Sequence, residues 1–353
     1  MYTTNRAFLL KSPLIFEKSK FKKMKVLIFL GPGGVGKTTI SAAAAIEISK
    51  KYKTILITID PAQRLKSALS IKIDEIRQIN KNLWVTQVNK KDEFLRFIEK
   101  YGISDLKNSK LFEIAAEMLP SEEYSAFLKI QELYEKDFDF MVVDTPPSSK
   151  FISFLDAPRK ILNLFETDAI KYFLDIAAFG GKKLAGPLSL AGKILGLDFI
   201  VEFAKFLGNL KSVFDKMQQI SYEAEKILRS EETYFVGVSI PYDNKIDELI
   251  SIIKETEQRG LEIKFVIINR FLNFTENGVP INSPKGVEEF HKKLFLLSQK
   301  QKQEIKNKLE LKNYKVFLIE DFFEDIVSYE VLEEFARKAN LSDFLSSIFH
   351  FAP

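Results

Sequence analysis

The run Gly31-Pro32-Gly33-Gly34-Val35-Gly36-Lys37-Thr38 constrains this chain more than any other feature. It fits the phosphate-binding pattern G-x-x-x-x-G-K-[ST] at every fixed position. The glycines let successive backbone N–H groups turn inward around an anion, where side chains would obstruct them. Lys37 can reach β- and γ-phosphate oxygens, and the Thr38 hydroxyl can ligate Mg²⁺. The pattern carries this meaning only between a strand and a helix. Lys25–Leu30 is a short apolar run suited to a buried parallel strand. Residues Thr39–Ile48 read as a helix, whose N-terminal dipole adds to an anion site. Gly31, Gly33, Gly34, Val35, Gly36, Lys37, Thr38 and Thr39 are therefore the candidate nucleotide-binding residues. The plain alternative is a glycine turn with an incidental lysine.

The 353 residues allow one large α/β domain or two smaller ones, and 46% apolar content supplies a sizeable core. The formal net charge is +4 with both signs well mixed, and no basic stripe with interleaved aromatics appears. No nucleic-acid partner is expected. The chain has no cysteine, which excludes disulfides, zinc-thiolate sites and thiol catalysis and fits a cytoplasmic location. The only histidines, His291 and His350, lie far apart in sequence.

No stretch reads as a transmembrane helix. The most apolar region, Leu174 to Leu210, is broken by Lys182, Lys183, Pro187 and Lys193. Residues 1–23 lack a signal-peptide core and cleavage site. They read as a disordered or mis-assigned leader, with a transit peptide or a membrane-surface arm as the alternative.

Apolar β-rich runs alternate with helical patterns, which predicts a doubly wound, mostly parallel sheet covered on both faces. The predicted strands are Val26–Leu30, Thr54–Ile59, Leu83–Val88, Phe138–Val143, Tyr234–Ile240, Lys264–Ile268 and Lys315–Ile319. From about residue 151 to 232 no strand is apparent. Helical patterns at Ile161–Phe173, Ile194–Lys211 and Phe214–Arg229 mark a helical subdomain inserted into a sheet domain of residues 24–353. Its Phe, Leu and Ile residues fit a nucleotide-gated groove for a client helix, or simply the packing of these helices on one another.

Two strands end in acidic residues. Thr54–Ile59 runs into Asp60-Pro61-Ala62, and Phe138–Val143 into Asp144-Thr145-Pro146-Pro147. Ligands of a doubly wound sheet bind at the carboxyl ends of its strands. The phosphate loop, Asp60 and Asp144 are thus expected at one edge. Such carboxylates act on Mg²⁺ directly or through water, or orient the attacking water. Thr38, Asp60 and Asp144 are the candidate Mg²⁺ ligands.

With these residues in place, the chain resembles the arsenite-pump, or anion-transporting, ATPases. That family includes the ATPases that target tail-anchored membrane proteins, and it belongs to the deviant phosphate-loop group. The resemblance covers about Lys25 to Glu320. It is strongest toward single-domain bacterial members, through Gly31–Gly34, Asp144-Thr145-Pro146-Pro147-Ser148 and Phe154-Leu155-Asp156-Ala157-Pro158-Arg159. It implies that Asp60 is the switch I aspartate that activates water, with Lys37 as the other catalytic residue. It also implies that Asp144, Thr145 and Pro146 form switch II, and that Asn269 reads the adenine edge. An amide suits adenine because it both donates and accepts; a strand-ending turn residue is the other reading of Asn269.

The chain departs from the family in several places. The signature lysine at the second loop position is Pro32, which has neither cation nor N–H. Arg64 is a candidate substitute. The histidine of the switch I motif is Gln63, and the end of switch II is Ser148-Ser149-Lys150. Without cysteine, no arsenite site and no zinc clasp are expected.

The resemblance implies an ATPase requiring ATP and Mg²⁺ that works as a homodimer. It would couple hydrolysis to a protein client or an integral membrane partner, in the cytoplasm or peripheral to the membrane. The alternatives are a nucleotide-gated binding protein or chaperone with negligible turnover, and a positioning ATPase on membrane or DNA.

Overall fold

The computed structural model describes residues 24–59, 76–100, 122–165, 215–276, 285–326 and 328–349. An eight-stranded sheet runs in the order β3-β4-β2-β5-β1-β6-β7-β8. Its strands are β1 (Lys25–Leu30), β2 (Thr54–Thr58), β3 (Arg77–Gln78), β4 (Leu83–Gln87), β5 (Phe140–Asp144), β6 (Thr233–Ser239), β7 (Ile263–Phe271) and β8 (Lys315–Glu320). Every pairing is parallel except β3 with β4. The order reverses at β1, which has β5 on one side and β6 on the other. That reversal opens the crevice where such sheets bind ligands.

The helices are α1 (Lys37–Ser49), α2 (Lys90–Lys100), α3 (Glu122–Tyr134), α4 (Ser148–Phe165), α5 (residues 215–228), α6 (Asp243–Glu257), α7 (Lys285–Lys308), α8 (Tyr329–Lys338) and α9 (Leu341–Phe349). The strands are apolar on both faces, as a covered parallel sheet requires. Val26, Ile28 and Leu30 join a core with α3, α4, α5 and α6. Leu27 and Phe29 point the other way, into a core with α1, α8 and α9. Helix α1 is buried nearly all round, between the sheet and α8 and α9. The run Ala42–Ala45, wholly buried, permits this close approach. The apolar tail Leu341–Phe349 packs inward: Phe349 meets Phe140 and Tyr234 at ring separations of 5.1 and 5.0 Å.

The sheet has the predicted strand sequence, with corrected ends. β5 starts at Phe140 rather than Phe138 and takes in Asp144 as its last residue. β7 continues to Phe271, so Asn269 lies within the strand. β3 was not expected, since two residues give no periodicity. In the inserted region the first helix, α4, starts at Ser148, directly after Pro147. Helix α5 matches the pattern at Phe214–Arg229. The patterns centred on residues 166–214, the leader, Asp60, Gln63 and Arg64 lie outside the described residues. Among those described, no strand occurs between Asp144 and Thr233. No described helix is long and apolar enough to cross a membrane.

Candidate active site

The phosphate loop joins β1 to α1, and two of its glycines are required by the backbone. Gly31 has φ +149, and a Cβ there would overlap the Val238 carbonyl of β6. Gly36, the N-cap of α1, has φ +92, and a Cβ would collide with the Asn269 amide. Both conformations favour glycine. No side chain caps α1 and no acidic residue stands in its first turn. The leading N–H groups of a helix have no carbonyl of their own helix to bond. Here no side chain within the first turn of α1 takes them up. The first intrahelical bond runs from Ile40 N–H to Gly36.

Lys37 is only 7% exposed. Its Nζ donates to the carbonyls of Gly31 at 2.9 Å and Pro32 at 2.8 Å. Pro32, which brings neither N–H nor cation, thus contributes a carbonyl that holds the loop's own lysine. Thr38 and Thr39, beside it in the first turn, are half-buried. Val35 is fully buried and anchors the loop in the core shared by α1, α8 and α9.

Asp144 sits at the carboxyl end of β5, fully buried. Thr58, paired with it in register on β2, donates its hydroxyl to Asp144 Oδ2 at 3.0 Å. The next residue, Thr145, donates its hydroxyl to the Phe29 carbonyl on β1 at 2.6 Å. Pro146 is buried. The Asp144 loop is thereby fastened to β2 on one side and to the strand of the phosphate loop on the other. The sequence reading missed Thr58. A threonine closing an apolar strand two residues before Asp60 is a faint signal, because threonine is common in strands anyway.

Asn269 is 5% exposed, and its Nδ2 donates to the Val35 carbonyl at 3.0 Å. The structure therefore brings Asn269 against the phosphate loop from β7, where it braces the turn at Gly36. The neighbouring Arg270 has φ +54, so the strand changes course at this point.

Of the predicted site residues, Gly31–Thr39, Asp144–Pro146 and Asn269 gather at one edge of the sheet. Asp60 lies outside the described residues, two positions beyond Thr58. The arrangement fits a nucleoside triphosphate with Mg²⁺. The loop has no room for side chains at Gly31 and Gly36 and carries a buried cation, as bound phosphates need. Thr38 and Asp144 offer hard oxygen donors, as Mg²⁺ needs.

The fold and this site define a phosphate-loop nucleoside triphosphatase. A family model for the anion-transporting ATPases matches residues 24–340. The chain belongs to the anion-transporting ATPase family and is an ATP hydrolase. It is similar to a protein of Aquifex aeolicus named arsenical pump-driving ATPase 2. The two are 26% identical over 327 residues, covering 89% of this chain and 98% of the relative. The ATPase get3 of Schizosaccharomyces japonicus is 25% identical, covering 70% of this chain and 75% of its own. An ASNA1 homolog of Dictyostelium discoideum is 25% identical, with 74% and 76% covered.

Proposed function

We propose that this protein is a Mg²⁺-dependent ATPase that acts as a nucleotide-switched homodimer and passes the switch to a protein client or membrane partner. One observation carries the reading. The Asp144 loop is tied to β1 through Thr145 and to β2 through Thr58, and it runs straight into α4. A change at the phosphate loop thus has a short route, through one hydrogen bond and then the chain itself, into α4.

In this reading the backbone of Gly31–Gly36 and the first turn of α1 cradle the phosphates. Lys37 leaves the Gly31 and Pro32 carbonyls for the β- and γ-phosphate oxygens. Thr38 and Asp144, with Asp60, would hold Mg²⁺, which when bound neutralises charge on the phosphates. Asp60 orients and deprotonates the attacking water, and Asn269 would read the adenine edge. The name of the Aquifex relative supports an ATPase that drives a pump. The first half of α7 also supports assembly with another chain. Its later residues Gln301 and Ile305 are buried, whereas Val287, Phe290 and Leu297, at spacings that share one helix face, are 48%, 63% and 37% exposed. Apolar side chains left exposed in a cluster mark interaction surfaces.

The test is Mg²⁺-ATP turnover at several protein concentrations, beside Asp60→Asn. The reading expects turnover that rises faster than linearly with concentration and is lost in the variant. Strictly linear turnover, together with a monomeric mass by light scattering at the same concentrations, would remove the dimer. Binding without turnover above the variant's would leave a nucleotide-gated binding protein.

A further inference from the structure

We propose that Asp156 is a positioning residue for ATP turnover, acting through its pair with Arg259 on the helix that leaves the Asp144 loop. The inference rests on the ATPase reading, but not on the dimer or the client.

Helix α4 is continuous with the loop. The N–H groups of Lys150 and Phe151 both bond the Pro147 carbonyl, so its first turn grows directly out of the residues beside Asp144. One side of α4 is fixed by apolar packing. Phe151 and Phe154 are fully buried, and Phe154 stacks on Phe127 of α3 at 4.4 Å. Close packing already restrains α4 along its axis; a directional polar tie adds a fixed setting.

The charged side of α4 supplies that setting. Arg259, in the turn that ends α6, donates from Nε to Asp156 Oδ1 at 2.7 Å and from its second guanidinium nitrogen to Oδ2 at 2.8 Å. Its remaining nitrogen donates to the Glu255 carbonyl at 2.7 Å, which aims the guanidinium. A two-pronged pair of this kind fixes orientation as well as distance. Asp156 lies about 12 Å along α4 from its start, at 1.5 Å per residue. Just beyond it, Pro158 lies inside the helix. Proline removes one helical hydrogen bond and is a usual place for a helix to bend. Past the proline, Arg159 pairs with Glu225 of α5 at 2.7 Å. The segment from Ser148 to Ala157 is therefore held at one end by the Asp144 loop and at the other by Arg259. With that far end held, the loop has a fixed reference for returning Asp144 to its place.

The experiment compares wild type with Asp156→Asn, Arg259→Lys, the exchanged pair Asp156→Arg with Arg259→Asp, and Arg159→Gln. Asparagine keeps the shape and removes the charge, and lysine keeps the charge and removes the fork. Expected are a fall in kcat of roughly tenfold in both single variants and a KM for ATP within about twofold of wild type. Partial recovery is expected in the exchanged pair, and kcat within about twofold of wild type in Arg159→Gln. Hydrogen exchange of the amides of 148–157, with ATP and with ADP, gives a second readout. Wild type should differ between the nucleotides and Asp156→Asn should not. That readout decides the matter even if turnover is too slow to follow. Unchanged kcat and unchanged nucleotide-dependent exchange in Asp156→Asn overturn the proposal. So does a loss explained wholly by lower thermal stability, with no recovery in the exchanged pair. Neither result touches the concentration dependence that tests the dimer.

Discussion

Thr58 gives its hydroxyl hydrogen bond to Asp144 across adjacent parallel strands, at 3.0 Å and out of contact with solvent. The relationship matters because Thr58 stands two residues before Asp60. The end of β2, which leads to one acidic candidate, is thereby fastened to the strand that ends in the other. A buried carboxylate needs such donors, since leaving its oxygens unsatisfied is costly.

Replacing Thr58 by valine keeps the shape and removes the donor. The expected loss of stability is about 1–3 kcal/mol, the cost of depriving a buried carboxylate of a hydrogen bond. Urea unfolding measures it. ATP turnover should fall along with it, because Asp144 loses a support. An unchanged unfolding midpoint would show that the bond contributes nothing.

The two constrained glycines should respond differently to alanine. At Gly31 the new Cβ meets the backbone oxygen of Val238, which cannot move without moving β6. Gly31→Ala should therefore lower stability by at least about 2 kcal/mol and abolish nucleotide binding. At Gly36 the Cβ meets the end of the Asn269 side chain, which can turn away. Gly36→Ala should cost less stability yet still weaken nucleotide binding, since φ +92 disfavours alanine and the Asn269–Val35 bond is lost. Thermal unfolding beside binding of a fluorescent ATP analogue separates the two. Equal stability losses would contradict this account.

Hydrogen bonds from Arg259 lower the Asp156 carboxyl pKa below its ordinary value, with burial acting against them. A carboxyl whose pKa is lower in the folded protein than in the unfolded chain adds stability above the unfolded value, near about 4. That contribution disappears as pH falls through the folded value. Wild type should thus exceed Asp156→Asn by roughly 1 kcal/mol at pH 7, and the gap should close in acid. Unfolding curves across pH 2–7 follow it. A gap that stays constant over that range would mean that the carboxylate charge is not its source.

Phe344 of α9 is 2% exposed and meets Phe317 of β8 edge-on at 4.7 Å. Phe344→Ala should cost about 3–5 kcal/mol through lost burial and the cavity left behind. A change under about 1 kcal/mol would place α9 outside the cooperative core.

Much of this fold was legible because it is written in local patterns. Apolar runs of strand length, separated by helical periodicity, gave the strand order along the chain. The ends moved where polar residues belong to strands for tertiary reasons. Asp144 ends β5 with one oxygen on the Thr58 hydroxyl, and Asn269 lies within β7 with its amide on the Val35 carbonyl. The apolar tail at Leu341–Phe349 gave no direction for its apolar face. Burial against Phe140, Tyr234 and Phe317 supplied one. Asp156 and Arg159 stood in a recognisable stretch, but no local pattern pairs Asp156 with a residue 103 positions away.

The phosphate loop and the class of chemistry follow from residue order alone. A loop of glycines followed by lysine and threonine is a local device, and backbone freedom plus one cation and one hydroxyl specify it without reference to the rest of the chain. The groups that support it are a matter of packing. Thr58, Phe29, Val35 and Arg259 act through contacts between strands and helices far apart in sequence. Hydrogen bonds of that kind depend on register and packing, which emerge only when the sheet has assembled.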